Sequence, residues 1–215
     1  MTNSINAKRR SSEQRRAAIL KAAASVFFEQ GYAATSIDAI IARLGGSKRN
    51  IYNEFGSKEG LFTALVSEAA ENALEVLAVE NIGSRDLEGS LREFGRRLLG
   101  IYMSPTLIGV LRTVMAEASR FPELAKAFYE KGPARTSDRL TSVLETARAS
   151  GEIDVPDCRM AADHFVGMLR DNLHLRVLLG LQDPPEAKEA EAIVATVVSI
   201  FLKGVRAEAT VARMH

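Results

Sequence analysis

The sequence predicts an all-α protein with a small three-helix domain at its N-terminus and a larger helical bundle after it. Apolar residues recur at helical intervals along almost the whole chain, and no alternating apolar and polar run is long enough for a sheet. Pro105, Pro122, Pro156 and the Pro184-Pro185 pair fall where one helix could end and the next begin. With 215 residues, 47% of them apolar, the chain can bury a substantial core.

Cysteine content and hydropathy exclude several classes of protein. The lone Cys158 allows neither an intrachain disulfide nor a Cys-rich zinc site. The charge-free apolar stretch of the last predicted helix, Ala192–Leu202, is far shorter than the ~20 residues that span a bilayer. The basic N-terminus is followed by no apolar segment that could form a secretory signal. We therefore expect a cytoplasmic protein that does not enter a membrane.

The charge is distributed unevenly along the chain. The net charge is +1 overall, but residues 1–58 carry +6 and residues 59–215 carry −5. Short segments fluctuate in charge by chance, yet a basic segment before an acidic one also favours contact of the first part with nucleic acid.

The N-terminal quarter reads as a helix-turn-helix domain over residues 11–57. Residues 1–10 are mainly polar and basic, and we expect a mobile basic arm. The first helix begins at Ser11, which has capping-box spacing with Gln14, and Gly31 ends it. Its apolar residues at helical spacing are Ile19, Ala23, Val26 and Phe27.

Two short helices follow. Thr35 can cap the second helix, and the Gly45-Gly46 pair ends it. Ser47 can cap a third helix that Gly56 ends, and the fourth begins at residue 57. The second helix carries one apolar stripe, formed by Ile37, Ile40, Ile41 and Leu44.

The third helix has an unusual exposed face. At 100° per residue, Ile51 and Phe55 share the inner side, whereas Arg49 and Asn53 lie opposite them. Asn50 and Tyr52 flank that outer face. Arg can bind guanine and Asn adenine through two hydrogen bonds each, so this face suits a reader of the major groove. The alternative is a solvated face that happens to hold two Asn residues.

The N-terminal sequence also resembles that of a known family. Residues 15–62 contain F-x-x-x-G-Y-x-x-T from Phe27 to Thr35, and then I-Y-x-x-F followed by S-K-E-x-L-F. These motifs resemble the DNA-binding domain of TetR/AcrR-type transcriptional regulators. Arg49-Asn50 stand where that family commonly has Gly-Thr, and Gly46 stands where Val is usual, so the operator sequence cannot be inferred from a relative.

The resemblance implies which residues touch DNA. Thr35 and Ser36 would contact phosphate at the start of the second helix, and Lys58 at the start of the fourth. The recognition helix would use Ser47, Lys48, Arg49, Asn50, Tyr52 and Asn53.

The remainder, residues 58–208, is predicted to be a helical domain for effector binding and dimerisation. Its helices are expected at 57–80, 86–103, 105–120, 122–149, 157–181 and 186–208, with a Gly/Ser turn at 81–85. The run from Glu117 to Leu124 resembles the AefR-type C-terminal half of the family.

The resemblance also implies a pocket for a small, partly apolar effector among the central helices. The alternative is that the residues with one-face spacing there simply fill the core. His164, Arg170, Asn172 and His174 interrupt an apolar helix, and His164 or Asn172 would orient a polar group of the effector. The candidate pocket residues are Phe94, Leu98, Tyr102, Leu111, Met115, Phe165, Met168 and Asn172.

These polar residues do not predict a metal or catalytic site. Asp171 and His174 share a helix face, but His164 lies ten residues from His174 and has no second ligand pair. No nucleophile arrangement is recognisable. We expect no metal, no cofactor and no enzymatic activity.

The last two predicted helices favour a homodimer, since they carry more apolar surface than the edge of one bundle needs. The alternative is that both helices only close the bundle. The expected interface residues are Leu173, Val177, Val194, Val197, Val198 and Phe201.

Together these features predict a dimeric, ligand-responsive regulator of transcription, with repression favoured over activation. Two recognition helices would bind a near-palindromic DNA operator, and the effector would release it. A helical protein-interaction module and an architectural DNA binder without an effector are the alternatives.

Overall fold

The computed structural model describes residues 2–77 and 86–206, with side chains from Glu13 onward. An isolated bridge between Ile153 and Arg206 is the only strand-like pairing among these residues, so the all-α prediction is confirmed. No single described helix is long and apolar enough to cross a membrane; the bent pair Leu87–Tyr102 and Pro105–Glu117 meets the criterion by length and composition only. The helices are α1 (Thr2–Gln30), α2 (Ile37–Leu44), α3 (Lys48–Phe55), α4 (Lys58–Val76), α5 (Leu87–Tyr102), α6 (Pro105–Glu117), α7 (Pro122–Lys131), α8 (Pro133–Ala149), α9 (Cys158–Leu169), α10 (Asn172–Leu178) and α11 (Ala187–Val205).

The chain divides into two compact units and passes between them three times. Unit 1 contains Met1–Glu71 and Pro105–Gly132, and unit 2 contains Asn72–Ser104 and Pro133–His215. This division differs from the boundary expected between residues 57 and 58. Helices α6 and α7 belong to unit 1 because they contribute to the core of α1–α4 with Val110, Val114 and Leu124.

Several helix boundaries differ from the predicted ones. Helix α1 begins at Thr2 and not at Ser11, since no Gly or Pro interrupts the backbone before residue 12; the side chains of residues 2–12 lie outside the description. The helix expected over 122–149 is divided by Gly132-Pro133, where Pro133 has no N–H to continue α7. The turn expected at 81–85 lies outside the described residues.

The helix expected over 157–181 is also divided. Asp171 accepts a hydrogen bond from the backbone N–H of Leu173 at 2.8 Å and starts α10 as its N-cap. A side chain that accepts from the backbone in this way competes with continuation of the preceding helix.

Unit 1 has an aromatic core. The ring of Phe27 lies 5.6 Å from that of Tyr32 and 5.3 Å from that of Phe62, and Phe121 lies 4.9 Å from Tyr32. Phe121 follows α6, so this part of the chain completes the core around α1.

A second feature of unit 1 is the close approach of α1 and α6. A Cβ atom at Gly109 would lie 2.5 Å from the ring of Phe28. The two helices can approach this closely only because residue 109 has no side chain.

In unit 2, α5 packs on α11, and α9 packs on α8 and α11. The ring of Phe165 lies 5.1 Å from that of Phe201 and 6.5 Å from that of Phe94. The end of α4 is held in this unit, because Arg139 donates to the carbonyl of Leu74 at 2.6 Å. Arg97 likewise donates to the carbonyl of Val76 at 2.7 Å.

Candidate DNA-binding surface

The helix-turn-helix consists of α2, a glycine turn and α3. Ser36 caps α2, since its hydroxyl accepts a hydrogen bond from the N–H of Ala39 at 3.1 Å. Ser47 is the N-cap of α3 and makes no capping bond with its side chain. Between them Gly45 and Gly46 have φ values of 81° and 104°, which glycine adopts at little cost. The valine expected from the resemblance would be strained at position 46.

The outer face of α3 is the predicted recognition surface. Ile51 is buried and Phe55 is half-buried, as the helical spacing predicted. The side chains of Arg49, Asn50 and Asn53 form no hydrogen bond or ion pair with any residue that the structure describes. The exposed residues of this surface are Ser47, Lys48, Arg49, Asn50, Tyr52 and Asn53.

Lys48 differs from its neighbours because its ammonium group already has a partner. Its Nζ lies 2.7 Å from Oδ2 of Asp38, and this hydrogen bond raises the pKa of Lys48. Both side chains are exposed, so the pair contributes little to stability and can open toward a phosphate.

Two further ion pairs position the helices around this surface. Arg16 of α1 contacts Glu54 of α3, with Nη1 and Oε1 3.2 Å apart. Arg43 of α2 donates two hydrogen bonds to Glu29 of α1, at 2.6 and 2.8 Å. Those bonds lower the pKa of Glu29 to about 2. These two arginines therefore connect helices. In the sequence analysis both were counted in the basic charge of residues 1–58 that favours nucleic acid.

The predicted cap at Thr35 is wrong. Its side chain is only 2% exposed, and the hydroxyl donates to the carbonyl of Gly31 at 2.7 Å. The hydroxyl stabilises the α1–α2 loop, and this burial leaves it unable to reach a phosphate. Ser36, which is exposed, remains a candidate for that contact.

Lys58 does not have the free ammonium group that a phosphate contact requires. Its Nζ donates to the carbonyls of Tyr32, Ala33 and Thr35 at 2.8, 3.3 and 2.9 Å, which uses all three donors. Burial lowers the pKa of Lys58. The side chain fastens the α1–α2 loop, Gly31–Ser36, to the start of α4.

Glu117 at the end of α6 holds the same loop. It is 8% exposed, and its Oε1 accepts a hydrogen bond from the N–H of Ala33 at 2.9 Å. The loop that orients α2 is therefore held by a cation from α4 and by an anion from α6.

The candidate effector residues are not brought together within one unit. Leu111 and Met115 lie in unit 1, where Leu111 is buried and Met115 is 61% exposed. Phe94, Leu98, Tyr102 and Phe165 are buried in unit 2. Met168 and Asn172 are also in unit 2, where Met168 is partly exposed and Asn172 is exposed.

The candidate dimer residues are buried within the protomer. Leu173, Val177, Val194, Val197, Val198 and Phe201 are all buried, and they pack in the core of unit 2. The exposed apolar side chains nearby are Met160, Leu175, Leu179, Leu181 and Ile200, none of which is among the six expected interface residues.

A groove of about 740 Å³ lies between α9 and α11 and the segment that precedes α9. Met160 and Met168 line it from α9, and Ile200 and Phe201 from α11. His164, one of the two residues expected to orient a polar group of the effector, also lines this groove and is exposed.

Two family models match most of the chain. Residues 19–65 match the tetR family of bacterial regulatory proteins, and residues 89–204 match the C-terminal domain of AefR-like transcriptional repressors. The chain belongs to the TetR family.

Individual relatives support this assignment. The flavonoid-responsive regulator FrrA is 35% identical, with a TM-score of 0.77 over 92% of this chain and 100% of that one. A TetR-family transcriptional regulator from Mesorhizobium loti MAFF303099 is 28% identical, with a TM-score of 0.80 over 91% of this chain and 98% of that one. The HTH-type transcriptional regulator YezE of Bacillus subtilis (strain 168) is 25% identical over 68% of this chain and 76% of its own length.

These relatives are regulators of transcription and not enzymes, as the sequence predicted. In this TetR-family regulator the sequence located the helix-turn-helix, but it missed the role of Glu117. That residue was noticed only as part of the run before Pro122. Its contact with Ala33 depends on α6 packing in unit 1, which no local pattern indicates.

Proposed function

We propose that the protein is a cytoplasmic, homodimeric regulator that represses transcription and is released from its operator by a small molecule. The observation that carries this proposal is the outer face of α3, where Arg49, Asn50 and Asn53 are exposed and unpaired among the described residues. Solvated helix faces more often carry Lys and Glu, whereas Arg and Asn are suited to the edges of guanine and adenine.

The DNA-binding heads, each formed by α1–α4 of one protomer, would bind DNA through α3 in the major groove. Arg49 would donate to O6 and N7 of guanine, and an Asn would pair with the N6/N7 edge of adenine. The N-terminal N–H groups of α3, next to the unengaged hydroxyl of Ser47, suit a backbone phosphate. Two heads in successive major grooves, ~34 Å apart, would select a near-palindromic site.

The dimer would form through the exposed apolar surface of unit 2. The groove between α9 and α11 has an apolar lining, and Ile200 and Met160 on its two sides are 57% and 53% exposed. Burial of such side chains against a second copy removes apolar area from water. The six residues first expected at the interface would then support these helices from within.

The effector would be an aromatic, flavonoid-like compound, because FrrA shares 35% identity along nearly the whole chain.

Helix α4 suits transmission of the signal. Lys58 anchors its start in unit 1, and the carbonyls of Leu74 and Val76 anchor its end in unit 2. A ligand that favours one position of α4 must change operator affinity, and DNA must change ligand affinity by the same factor.

The test starts from genomic DNA. Fragments bound by the full-length protein are recovered and sequenced, and a shared near-palindrome is expected. Flavonoids are then titrated against the preformed complex in a mobility-shift assay, and a shift in operator affinity of about 5- to 150-fold is expected.

The outcomes separate this proposal from its alternatives. Binding of genomic DNA without a shared site, and without release by any compound tried, would favour an architectural DNA binder. No binding to DNA at all would favour a protein-interaction module.

A further inference from the structure

His174 is the residue in unit 2 whose surroundings least satisfy its chemistry. It is 3% exposed, and its Nε2 atom forms no hydrogen bond with any residue of the described chain. Buried polar atoms in folded proteins almost always have a partner, because an unpaired one loses its bonds to water without replacement. An unpaired imidazole nitrogen at this position therefore indicates a partner beyond the residues that the structure describes.

Two other residues lie around this imidazole. The ring of Tyr102 on α5 lies 5.5 Å from that of His174 on α10. The guanidinium carbon of Arg170, an exposed residue, lies 5.4 Å from the centre of the Tyr102 ring. The three side chains thus form a series from an exposed cation through an aromatic face to a buried nitrogen.

We propose that His174 Nε2, Tyr102 and Arg170 bind the polar end of the effector, and that this end is an aromatic hydroxyl group. The inference rests on the function proposed above and assigns the residues that recognise the ligand. It also replaces His164 and Asn172, which are exposed, as the groups that orient the effector.

The chemistry of the three residues selects this class. Burial and the neighbouring charge of Arg170 lower the pKa of His174, so the imidazole is neutral near pH 7, although Asp171 opposes this shift. A neutral imidazole nitrogen either donates or accepts, and a hydroxyl group can satisfy both. Burial raises the pKa of Tyr102 to about 12, so its ring stays uncharged. An aromatic ligand would therefore pack on that ring, with Arg170 favouring the electron-rich hydroxyl end.

The experiment compares ligands that differ by one hydroxyl. Binding of flavone and of its 3′-, 4′-, 6- and 7-hydroxy derivatives to the full-length protein is measured by calorimetry. We expect the best hydroxyflavone to bind wild type about tenfold more tightly than flavone, as expected where a buried polar atom gains its partner. His174→Phe should reduce this preference to near one. A preference ratio is used because partial unfolding weakens both ligands together.

The matched control is Tyr129→Phe, which changes an exposed tyrosine of unit 1 and should keep the wild-type ratio. If His174→Phe keeps the wild-type ratio while hydroxyflavones still release the operator, this inference is overturned and the proposed function stands. The partner of Nε2 would then be an ordered water. If wild type binds no flavone derivative and none releases the operator, the effector class fails, and the inference fails with it.

Discussion

Lys58 and Glu117 hold one loop from two different helices. Lys58 at the start of α4 donates to the carbonyls of Tyr32 and Thr35, and Glu117 at the end of α6 accepts from the N–H of Ala33 between them. The loop leads directly into α2 of the helix-turn-helix. A displacement of either helix would therefore change the support of α2 and, through it, the presentation of α3.

Lys58→Met should destabilise the protein and leave the salt dependence of DNA binding nearly unchanged. The substitution removes charge-assisted hydrogen bonds to two partly buried carbonyls and to the exposed carbonyl of Ala33, so the free energy of unfolding, measured in urea, should fall by about 1–3 kcal/mol. The slope of operator affinity against salt concentration checks the alternative. If the salt slope instead falls by about one charge per DNA-binding domain while stability is unchanged, Lys58 contacts a phosphate after all. Combined with Glu117→Leu, the two losses should not add, because both act on one loop.

Gly109→Ala should destabilise unit 1 by about 1–3 kcal/mol, since the new methyl group would overlap the ring of Phe28. Gly100→Ala is the matched control. It lies in α5, where an added Cβ would meet no atom beyond its own stretch of helix within 4 Å, so the same change should stabilise by about 0.5–1 kcal/mol. Urea unfolding measures both variants. Equal effects at the two positions would mean that α1 and α6 do not approach closely in solution.

Arg49→Ala should cost about 1–3 kcal/mol of discrimination at one base pair of the operator and much less on random DNA. Lys48→Ala, the comparison, should weaken binding to all DNA sequences alike. Lys48 lies at the start of the helix, where its exposed ion pair with Asp38 can open toward a phosphate. Competition binding with single-base operator variants measures the difference. Equal losses on specific and random DNA for Arg49→Ala would remove its role as a base reader.

Ile200→Asp should produce folded monomers that bind the operator weakly. A charge buried at an apolar interface without a partner costs several kcal/mol, whereas an exposed aspartate on a monomer costs little. Phe201→Asp should instead disrupt the fold, since Phe201 is 5% exposed and packs on Phe165. Sedimentation velocity and circular dichroism separate the two results. The control is Ser142→Asp, which places the same charge at an exposed position of α8 and should leave the dimer intact. If Ile200→Asp also remains a dimer, the α9–α11 groove is not the interface.

Part of the acid sensitivity of unit 1 should come from Glu29. Its pKa is lowered from 4.5 to about 2 by the hydrogen bonds from Arg43, so its contribution to stability is present above pH ~4.5. That contribution is lost as the pH falls toward 2, where the folded state must also take up the proton. Glu29→Gln should therefore flatten the dependence of unfolding free energy on pH in this window. An unchanged profile would mean that the pair with Arg43 is open in solution.

The sequence predicted those features of the fold that depend on local pattern. The faces of α2 and α3 followed from the spacing of Ile37, Ile40 and Ile51, which are buried as expected. The exposed Arg49 and Asn53 followed from the same arithmetic.

Features that depend on tertiary packing were not predicted. Apolar spacing shows that a helix has a buried face, but not which helix covers it, so the packing of α6 against the core of α1–α4 was not predicted. For the same reason Val197 and Phe201 were taken for interface residues, although α5 and α9 cover α11 within the protomer. Lys58 was misread because its carbonyl partners lie 23 to 26 positions away in the chain.

The three passages of the chain between units restrict how such a regulator can be recombined. A chimera that joined Met1–Glu71 to the sensor of another family member would leave behind Phe121 and the apolar residues of α6 and α7 that complete the head. A transferable head must therefore include Pro105–Gly132 as a second graft, inserted inside the recipient sensor. Exchange of DNA specificity by one crossover should fail in folding, whereas replacement of the outer face of α3 alone should succeed.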